Sequence, residues 1–245
     1  MLELSAKITK RKLREETWKY LEEHNIARFP RPVYGRIPNF VDSERAAIRI
    51  RELKEFAKAE VVKVNPDAPQ ARIRQIVLEE GKTLLMPTPR LTAGFIKLDS
   101  RQIPKQMIGK AASISGALRI GERIPLSKLS SIGLVVAGSV AVSLEGGRIG
   151  KGEGYSEFEY GILRECDLVN DSVKIATTVH DCQVVDAFPV EKHDIPVDYV
   201  LTPTRLCETH TRLPKPKGIY WELVTAEMLH KMPILEELRA RFQPK

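Results

Sequence analysis

A glycine-rich segment stands between an apolar run and a stretch with helical spacing, and this order restricts the local fold. Residues 132–142 form the apolar run, five glycines fall within 146–154, and 155–164 has the spacing of a helix. A strand, a glycine-rich turn and a helix let backbone N–H groups close on a phosphate, because glycine adopts positive φ and has no obstructing Cβ. Arg148 and Lys151 would balance the phosphate charge. A simple tight connection has the same composition, so both interpretations stay open here.

Short apolar runs alternate with helical patterns along much of the chain. Helices are predicted over 6–24, 43–58, 68–80, about 104–114, 155–164, and 226–242 with a break at Pro233. Strands are predicted over 60–64, 83–86, 132–142, 173–179, 197–201 and 220–224. Ser43 is the expected N-cap of the second helix, and a bend is expected near Gly138. The alternation predicts an α/β fold, a mostly parallel sheet covered by helices, with 1–245 forming one domain.

Polar loops follow three of the predicted strands. They are the glycine-rich segment, Pro-Thr-Pro-Arg at 87–90 and Thr-Pro-Thr-Arg at 202–205. Ligands of open α/β sheets bind beyond the carboxyl ends of the strands. We therefore expect the three loops to converge on one rim of the sheet, which favours the phosphate interpretation.

Charge and composition restrict the class of ligand and the compartment. A net charge of +7 permits an anionic ligand such as a nucleotide, a polyglutamate or RNA. The high content of charged residues, 29%, fits the ion-pair networks of a heat-adapted protein equally well. Only 6% of residues are aromatic and no basic–aromatic RNA-binding motif is present, so nucleic acid is not the favoured partner. We expect a cytoplasmic protein, because no apolar run has membrane-spanning length and the N-terminus does not resemble a signal peptide. The three cysteines, without a CxxC pair, indicate reduced thiols.

Four separated motifs carry a resemblance to one family. Arg-Ile-Gly-Lys-Gly-Glu-Gly-Tyr at 148–155 resembles the Arg-x-Gly-x-Gly-x-Gly-Tyr motif of 5-formyltetrahydrofolate cyclo-ligases, also called methenyltetrahydrofolate synthetases. Lys10 and Arg14 match a Lys-x-x-x-Arg motif near the N-terminus of that family. The segment 189–198 is similar to the Pro-x-Glu-x-His-Asp segment of the family, with Gln183 at the expected place before it. The motifs occur in the family order over most of the chain.

Two further segments are most similar to a divergent, domain-containing branch of this family. They are Gly-Arg-Ile-Pro-Asn-Phe at 35–40 and Met-Pro-Thr-Pro-Arg at 86–90. Animal members of that branch carry an additional RNA-recognition domain, which we do not expect in this chain.

The resemblance implies a fold, a reaction and a set of site residues. The fold is a three-layer α/β sandwich similar to that of sugar-phosphate isomerases and coenzyme A transferases. The reaction is the ATP- and Mg²⁺-dependent conversion of 5-formyltetrahydrofolate, or a related formyl pterin, to 5,10-methenyltetrahydrofolate, with release of ADP and phosphate. The implied catalytic residues are Lys10, Arg14 and Arg148. ATP binding is implied for these three and for Gly150, Lys151, Gly152, Gly154 and Tyr155. Substrate binding is implied for Tyr155 and Gln183, and Mg²⁺ binding for Glu157 and Asp194.

The chain departs from the family pattern directly after the glycine-rich segment. The family continues Gly-Tyr-Tyr-Asp-Arg, whereas this chain has Ser156, Glu157 and Phe158 after its tyrosine. A second hypothesis is therefore a catalytically diverged nucleotide- or folate-binding protein, with RNA association through the basic surface as a variant. A sugar-phosphate isomerase ranks third, because no carboxylate–lysine pair is placed for proton transfer.

Several site residues also have a simpler interpretation. Lys10 and Arg14 have the i, i+4 spacing of a solvated helix face. Glu191, His193 and Asp194 resemble a metal or acid–base cluster but also a turn with local hydrogen bonds.

A structural role, without any ligand, would also account for one carboxylate and for both tryptophans. Glu157 would interact favourably with the helix dipole without any metal. Trp18 and Trp221 are expected to be packing residues rather than platforms for a pterin.

Overall fold

The computed structural model describes residues 2–125, 128 and 130–242, and the side chains of 9–125, 128 and 130–241. The described residues form nine α-helices: α1 (Leu2–Glu23), α2 (Ser43–Ile48), α3 (Lys54–Lys58), α4 (Ala71–Glu79), α5 (Ile108–Ala111), α6 (Ile114–Ile120), α7 (Tyr155–Glu165), α8 (Ala226–Lys231) and α9 (Pro233–Phe242). They also form thirteen strands: β1 (Ala27–Arg28), β2 (Asn39–Phe40), β3 (Val61–Val64), β4 (Thr83–Pro87), β5 (Phe95–Asp99), β6 (Glu122–Arg123), β7 (Leu134–Val136), β8 (Ala141–Ser143), β9 (Arg148–Ile149), β10 (Lys174–Thr178), β11 (Val184–Val185), β12 (Tyr199–Leu201) and β13 (Leu206–Glu208).

Eight of these strands form one sheet in the order β13-β12-β10-β7-β3-β4-β5-β6. The five strands from β12 to β4 are parallel to one another, and β13, β5 and β6 pair antiparallel at the two edges. This arrangement confirms the predicted α/β fold with a mostly parallel sheet. Two small sheets accompany it, β1-β2 and β11-β8-β9, and the second holds the glycine-rich hairpin.

The strands are buried on both faces, and successive side chains enter two different cores. In β7, Leu134 and Val136 belong to the core under α2 to α6, whereas Val135 belongs to the core under α7 to α9. The two-residue repeat of a strand requires this alternation. The same repeat turns Lys63 of β3 away from the core that holds Val62 and Val64, and towards α7. The two cores share one sheet, and the interpretation of 1–245 as one domain stays a prediction.

The structure corrects several predicted elements. The helix predicted over 43–58 is divided into α2, a 3-10 turn (Arg49–Glu52) and α3. Its N-cap is Asp42 at φ 58° rather than Ser43, and no side-chain hydrogen bond caps it. The strand predicted over 220–224 is instead a 3-10 turn (Trp221–Leu223).

The apolar run 132–142 contains two strands instead of one. β7 ends at Val136, and β8 then belongs to a different sheet. The expected bend near Gly138 is confirmed, since the chain leaves the large sheet there. A Cβ at Gly138 would lie 2.8 Å from Asp67 Oδ2 and 3.0 Å from Ile37 Cγ2, so this crossing requires glycine.

No helix among the described residues combines the length and the apolar character needed to cross a membrane.

Candidate functional site

A cleft of about 1290 Å³ opens at the carboxyl ends of β3 and β4. Its walls include 65–68 after β3, 88–90 after β4, the glycine-rich segment 148–157, and side chains of α1. Two of the three loops that we expected at one rim therefore meet. The third, 202–205, does not line the cleft, and that part of the expectation is wrong. In this loop Thr202 Oγ1 donates to Asp181 Oδ1 at 2.6 Å.

The glycine-rich segment turns into α7 at the inner wall of the cleft. Gly152 has φ +99° and Gly154 has φ +75°, conformations that side chains with a Cβ rarely adopt. Gly154 is the N-cap of α7 and offers no side-chain oxygen to the first-turn N–H groups. The free N–H groups of such a helix start can bind an anion in the cleft.

Lys10 is almost fully buried, at 5% exposure, and joins α1 to the segment after β11. Its Nζ donates to Glu191 Oε2 at 2.9 Å and also contacts Asp194 Oδ2. The interpretation of Lys10 as part of a solvated face is therefore wrong. The two carboxylates belong to a turn in which Glu191 N donates to Asp194 Oδ2 at 2.6 Å, as the local-turn interpretation expected.

The same turn brings together three possible metal-binding side chains. Oxygen or nitrogen atoms of Glu191, His193 and Asp194 lie within 4.8 Å of one another. The ammonium group of Lys10 already lies between the two carboxylates and neutralises part of their charge. A cation bound by all three side chains would have to displace this ammonium group.

Arg148 and Arg14 line the other side of the glycine-rich segment. Arg148, at 2% exposure, donates from Nη1 to Gly138 O at 2.7 Å and from Nη2 to Glu157 Oε1. Its Nε is buried and has no hydrogen-bond partner among the described residues. Arg14 donates from Nε to Gly150 O at 2.7 Å. Burial lowers the pKa of Arg14 while the charges of Glu157 and Asp194 oppose this effect, and an arginine remains protonated at neutral pH.

Lys151 and Tyr155 complete the set of predicted residues at this wall. Lys151 Nζ lies 2.6 Å from Glu153 Oε2 and 5.8 Å from the centre of the Tyr155 ring. Both residues line the cleft, as do Glu157 and Asp194. The structure thus brings together ten of the eleven site residues that the resemblance implied.

Gln183 is the eleventh residue, and it does not line the cleft. It is fully buried, donates from Nε2 to Val140 O at 2.8 Å, and accepts at Oε1 from His180 N at 2.7 Å. Both ends of its amide are thus bonded to backbone groups, so the geometry gives no support to a substrate contact by Gln183.

The two tryptophans pack as expected. Trp18 is buried with α1 and donates from Nε1 to Arg36 O at 2.9 Å, and Trp221 packs against the core under α7.

A buried ion pair below the cleft was missed from the sequence. Lys63 Nζ contacts Glu159 Oε2 and donates to Asn65 Oδ1 at 2.7 Å, and all three residues are at most 4% exposed. Burial raises the pKa of the Glu159 carboxyl, and the nearby Lys63 charge opposes this effect. This pair is a buried ion pair, so the expectation that no carboxylate–lysine pair is placed for proton transfer stays a prediction. The available signal was a single lysine inside the otherwise apolar Val-Val-Lys-Val of β3.

Asp67 and Arg74 line the same cleft and were also not predicted from the sequence. Arg74 Nη1 donates to the backbone oxygens of Asn65 and Asp67 at 2.8 and 2.9 Å, which fixes the turn after β3. Burial lowers the pKa of Arg74 to about 10 and raises the pKa of Asp67, whose carboxylate lies among several cations.

The sequence of the chain is similar to that of one known protein family. A sequence model of the 5-formyltetrahydrofolate cyclo-ligase family matches residues 6–203. The chain belongs to this family. The cyclo-ligase motifs at Lys10, Arg14 and 148–155 therefore identified the family correctly.

Animal relatives are similar to this chain over nearly all of its length. The methenyltetrahydrofolate synthase domain-containing protein of Mus musculus is 46% identical over 244 residues, or 98% of this chain and 66% of the mouse protein. The human protein of that name is 47% identical over 240 residues, or 96% of this chain and 63% of the human protein. These relatives confirm the predicted domain-containing branch. The chain spans about two thirds of their length, at 66% and 63%.

Two more distant cyclo-ligase relatives are also similar. The 5-formyltetrahydrofolate cyclo-ligase of Mycolicibacterium smegmatis is 27% identical over 131 residues, or 53% of this chain and 64% of that protein. The solved structure of Aquifex aeolicus 5,10-methenyltetrahydrofolate synthetase superposes with a TM-score of 0.50 at 20% identity, covering 82% of this chain and 93% of that chain. At this identity the likeness shows the shared fold.

The residues after the cyclo-ligase match also contact the site. Tyr220 donates its hydroxyl to Lys192 O at 2.9 Å, directly beside the Glu191–Asp194 turn. Met232 and Leu235 are buried in the core that also holds α7. The segment after residue 203 therefore supports both the Lys10 contacts and α7.

Proposed function

We propose that this chain is an ATP-dependent 5-formyltetrahydrofolate cyclo-ligase that acts on 5-formyltetrahydrofolate or a closely related formyl pterin in the cytoplasm. The observation that carries the proposal is the concentration of cations around one glycine-rich helix start. Lys10, Arg14, Arg148 and Lys151 all line the cleft into which α7 begins. Family membership adds the class of reaction.

The cleft suits a nucleoside triphosphate in size and in charge. Its volume of about 1290 Å³ accommodates a nucleotide and a pterin together. Gly152 and Gly154 leave the wall without Cβ atoms, and the buried Nε of Arg148 is a donor that has no hydrogen-bond partner among the described residues. Such donors and cations stabilise a triphosphate and the charge that develops during phosphoryl transfer.

Glu157 and Asp194 fit a role in holding Mg²⁺. Each carboxylate has one oxygen engaged by a cationic side chain, Glu157 Oε1 by Arg148 and Asp194 Oδ2 by Lys10. The second oxygen of each remains a hard ligand of the type that Mg²⁺ prefers. When bound, the ion would neutralise phosphate charge in the cleft.

The proposed reaction needs alignment and charge neutralisation more than it needs a protein nucleophile. The formyl oxygen attacks the γ-phosphorus, a new P–O bond forms, and ADP leaves. N10 of the folate, outside the pterin ring, then attacks the formyl carbon, the N10 proton is lost, and phosphate leaves with the former formyl oxygen. We propose that Lys10, Arg14 and Arg148 hold the transferred phosphate and that Tyr155 contacts the pterin.

The test is the absorbance near 360 nm, where a methenyl pterin is expected to absorb. Purified protein is mixed with 5-formyltetrahydrofolate and Mg²⁺, with and without ATP, and ADP is quantified in parallel. An ATP-dependent rise with matching ADP supports the proposal. ATP binding by calorimetry without product would instead favour a diverged binding protein.

Arg148→Ala tests the phosphate assignment within this proposal. The variant should weaken ATP binding about tenfold or more, because it removes a charged donor from the cleft. Arg101→Ala is the matched control, since Arg101 is exposed and pairs with Asp99 outside the cleft. Equal ATP affinity of a folded Arg148→Ala protein and the wild type would place the phosphates elsewhere.

A further inference from the structure

Ser156 stands where the cyclo-ligase pattern has its second tyrosine. It lies in the first turn of α7, is half-buried, and lines the cleft. Its Oγ lies 3.2 Å from Nδ2 of Asn65, the residue that directly follows β3 and also lines the cleft.

The charge of Lys63 fixes which end of the Asn65 amide faces Ser156. An ammonium group only donates hydrogen bonds, so the atom of Asn65 that lies 2.7 Å from Lys63 Nζ must be the oxygen. The nitrogen end then necessarily faces Ser156. Glu159 contacts Lys63 as well, so this buried charge is balanced within the group.

The direction of the next hydrogen bond follows from the same reasoning. Because Asn65 Nδ2 can only donate, Ser156 Oγ accepts, and the hydroxyl hydrogen of Ser156 is left for another acceptor. Within the described part of the chain, Ser156 Oγ has no further hydrogen-bond partner. Two successive hydrogen bonds, from Lys63 to Asn65 and from Asn65 to Ser156, thus form a chain that we call the polar relay. This relay orients the Ser156 hydroxyl as a donor towards the cleft.

We propose that Ser156 donates this hydrogen to a phosphoryl oxygen of the bound nucleotide, and that Lys63 and Asn65 are positioning residues that fix the direction of the donor. A phosphoryl oxygen is the acceptor that fits this place, because Ser156 lies at the helix start where the N–H groups and cations converge. The inference rests on the nucleotide-binding part of the proposed function. It assigns a binding role to a residue at which the chain departs from the family pattern.

The test is a double-mutant cycle on the full chain, with ATP affinity measured by calorimetry. Ser156→Ala removes the donor. Asn65→Asp reverses the relay, since the new carboxylate can only accept and so draws the Ser156 hydrogen away from the cleft. Each variant should bind ATP about tenfold more weakly than the wild type. The double variant should lose no more ATP affinity than either single variant, because both changes remove the same hydrogen bond.

The chain offers a matched control pair outside the cleft. Ser172 Oγ donates to Asn170 Oδ1 at 2.6 Å in an exposed turn, so Ser172→Ala and Asn170→Asp should leave ATP affinity unchanged. Ser156→Thr keeps the hydroxyl and should retain ATP affinity within about threefold. Adenosine, which has no phosphate, should bind the wild type and Ser156→Ala equally.

Several results would overturn the inference. Additive losses in the cycle would show that the carboxylate of Asn65→Asp acts by repelling phosphate and not through Ser156. Unchanged ATP affinity in Ser156→Ala, or an equal loss for adenosine, would remove the phosphate contact. A loss confined to folate binding would assign the donor to the other substrate. The cycle is scored on binding, so it stays decisive even if the wild type binds ATP and forms no methenyl product.

Discussion

Removing the ammonium group of Lys63 should destabilise the protein strongly, because it leaves the Glu159 carboxylate buried without its partner. The two side chains are only 2% and 6% exposed, so solvent cannot replace the lost interaction. Breaking a buried pair in this way costs about 3–5 kcal/mol of unfolding free energy. For a chain of this size each kcal/mol corresponds to about 2–4 °C, so Lys63→Met should lower the Tm by about 6–20 °C.

Replacing both partners should cost far less than replacing one. In Lys63→Met/Glu159→Met both charges of the pair are gone, and apolar substitution of a buried pair is often neutral or stabilising by about 1–4 kcal/mol. The assay is urea denaturation at pH 7.5, followed by the fluorescence of Trp18 and Trp221. Lys19→Met is the exposed control, because its Nζ lies 3.8 Å from Glu23 on the surface of α1, and no measurable change is expected.

Two results would refute this reasoning. A cost below about 1 kcal/mol for Lys63→Met would show that water reaches Glu159 or that its carboxyl is already neutral. A double variant as unstable as the single one would show that the side chains stabilise the fold through packing and not through their charges.

Further predictions concern a surface carboxylate and two glycines. Glu22 accepts from Arg31 Nε at 2.9 Å and from Val33 N at 2.7 Å, and chiefly the Arg31 hydrogen bond lowers its pKa from 4.5. The stabilisation by ionised Glu22 is therefore present above about pH 4.5 and is lost as the pH falls through the lower folded-state pKa. By urea denaturation, Glu22→Gln should lower the free energy of unfolding by roughly 1 kcal/mol at pH 7, and this difference should shrink as the pH falls below about 4.5. A difference that persists in acid would contradict the assignment. Gly154→Ala should cost about 1–2 kcal/mol, because φ is +75° there, whereas Gly109→Ala in α5, with open space around it, should stabilise by about 0.5–1 kcal/mol. Melting curves of the two variants that move in the same direction would refute this contrast.

The elements that depend on local pattern were predicted well. α7 begins at Tyr155 as expected, because the glycines before it end the preceding strand and its apolar residues repeat at helical spacing. The break between α8 and α9 falls before Pro233 for an equally local reason, since proline cannot supply the N–H group that continues a helix.

The elements that depend on distant partners were missed. β5 pairs antiparallel with β4 and with β6, and these contacts decide that Phe95–Asp99 is extended. β13 exists for the same reason at the opposite edge, where it pairs with β12. A short sequence with mixed polarity has no period of its own that reveals such a pairing.

The candidate site also has a part that local motifs predicted and a part that only the tertiary structure decides. The glycine-rich turn and the cationic residues around it were recognised from motifs, and ten of the eleven implied residues do line one cleft. Gln183 fits the family motif in position, yet its amide is bonded to backbone groups in the interior. The position of a residue in a motif does not determine whether its side chain points into the cleft or into the protein interior.

Motif spacing and hydrophobic period, both local properties, were enough to indicate an α/β chain with a phosphate-binding turn between a strand and a helix. Tertiary contacts decide the charges that surround that turn. Lys10 meets Glu191 and Asp194 across more than 180 residues, and Lys63 meets Glu159 across 96. A lysine in a strand or a glutamate in a helix has the same local pattern whether it faces water or an opposite charge. Packing removes the water, because α7 lies on the large sheet and α1 lies beside β8 of the small sheet. This packing makes those pairs part of the site.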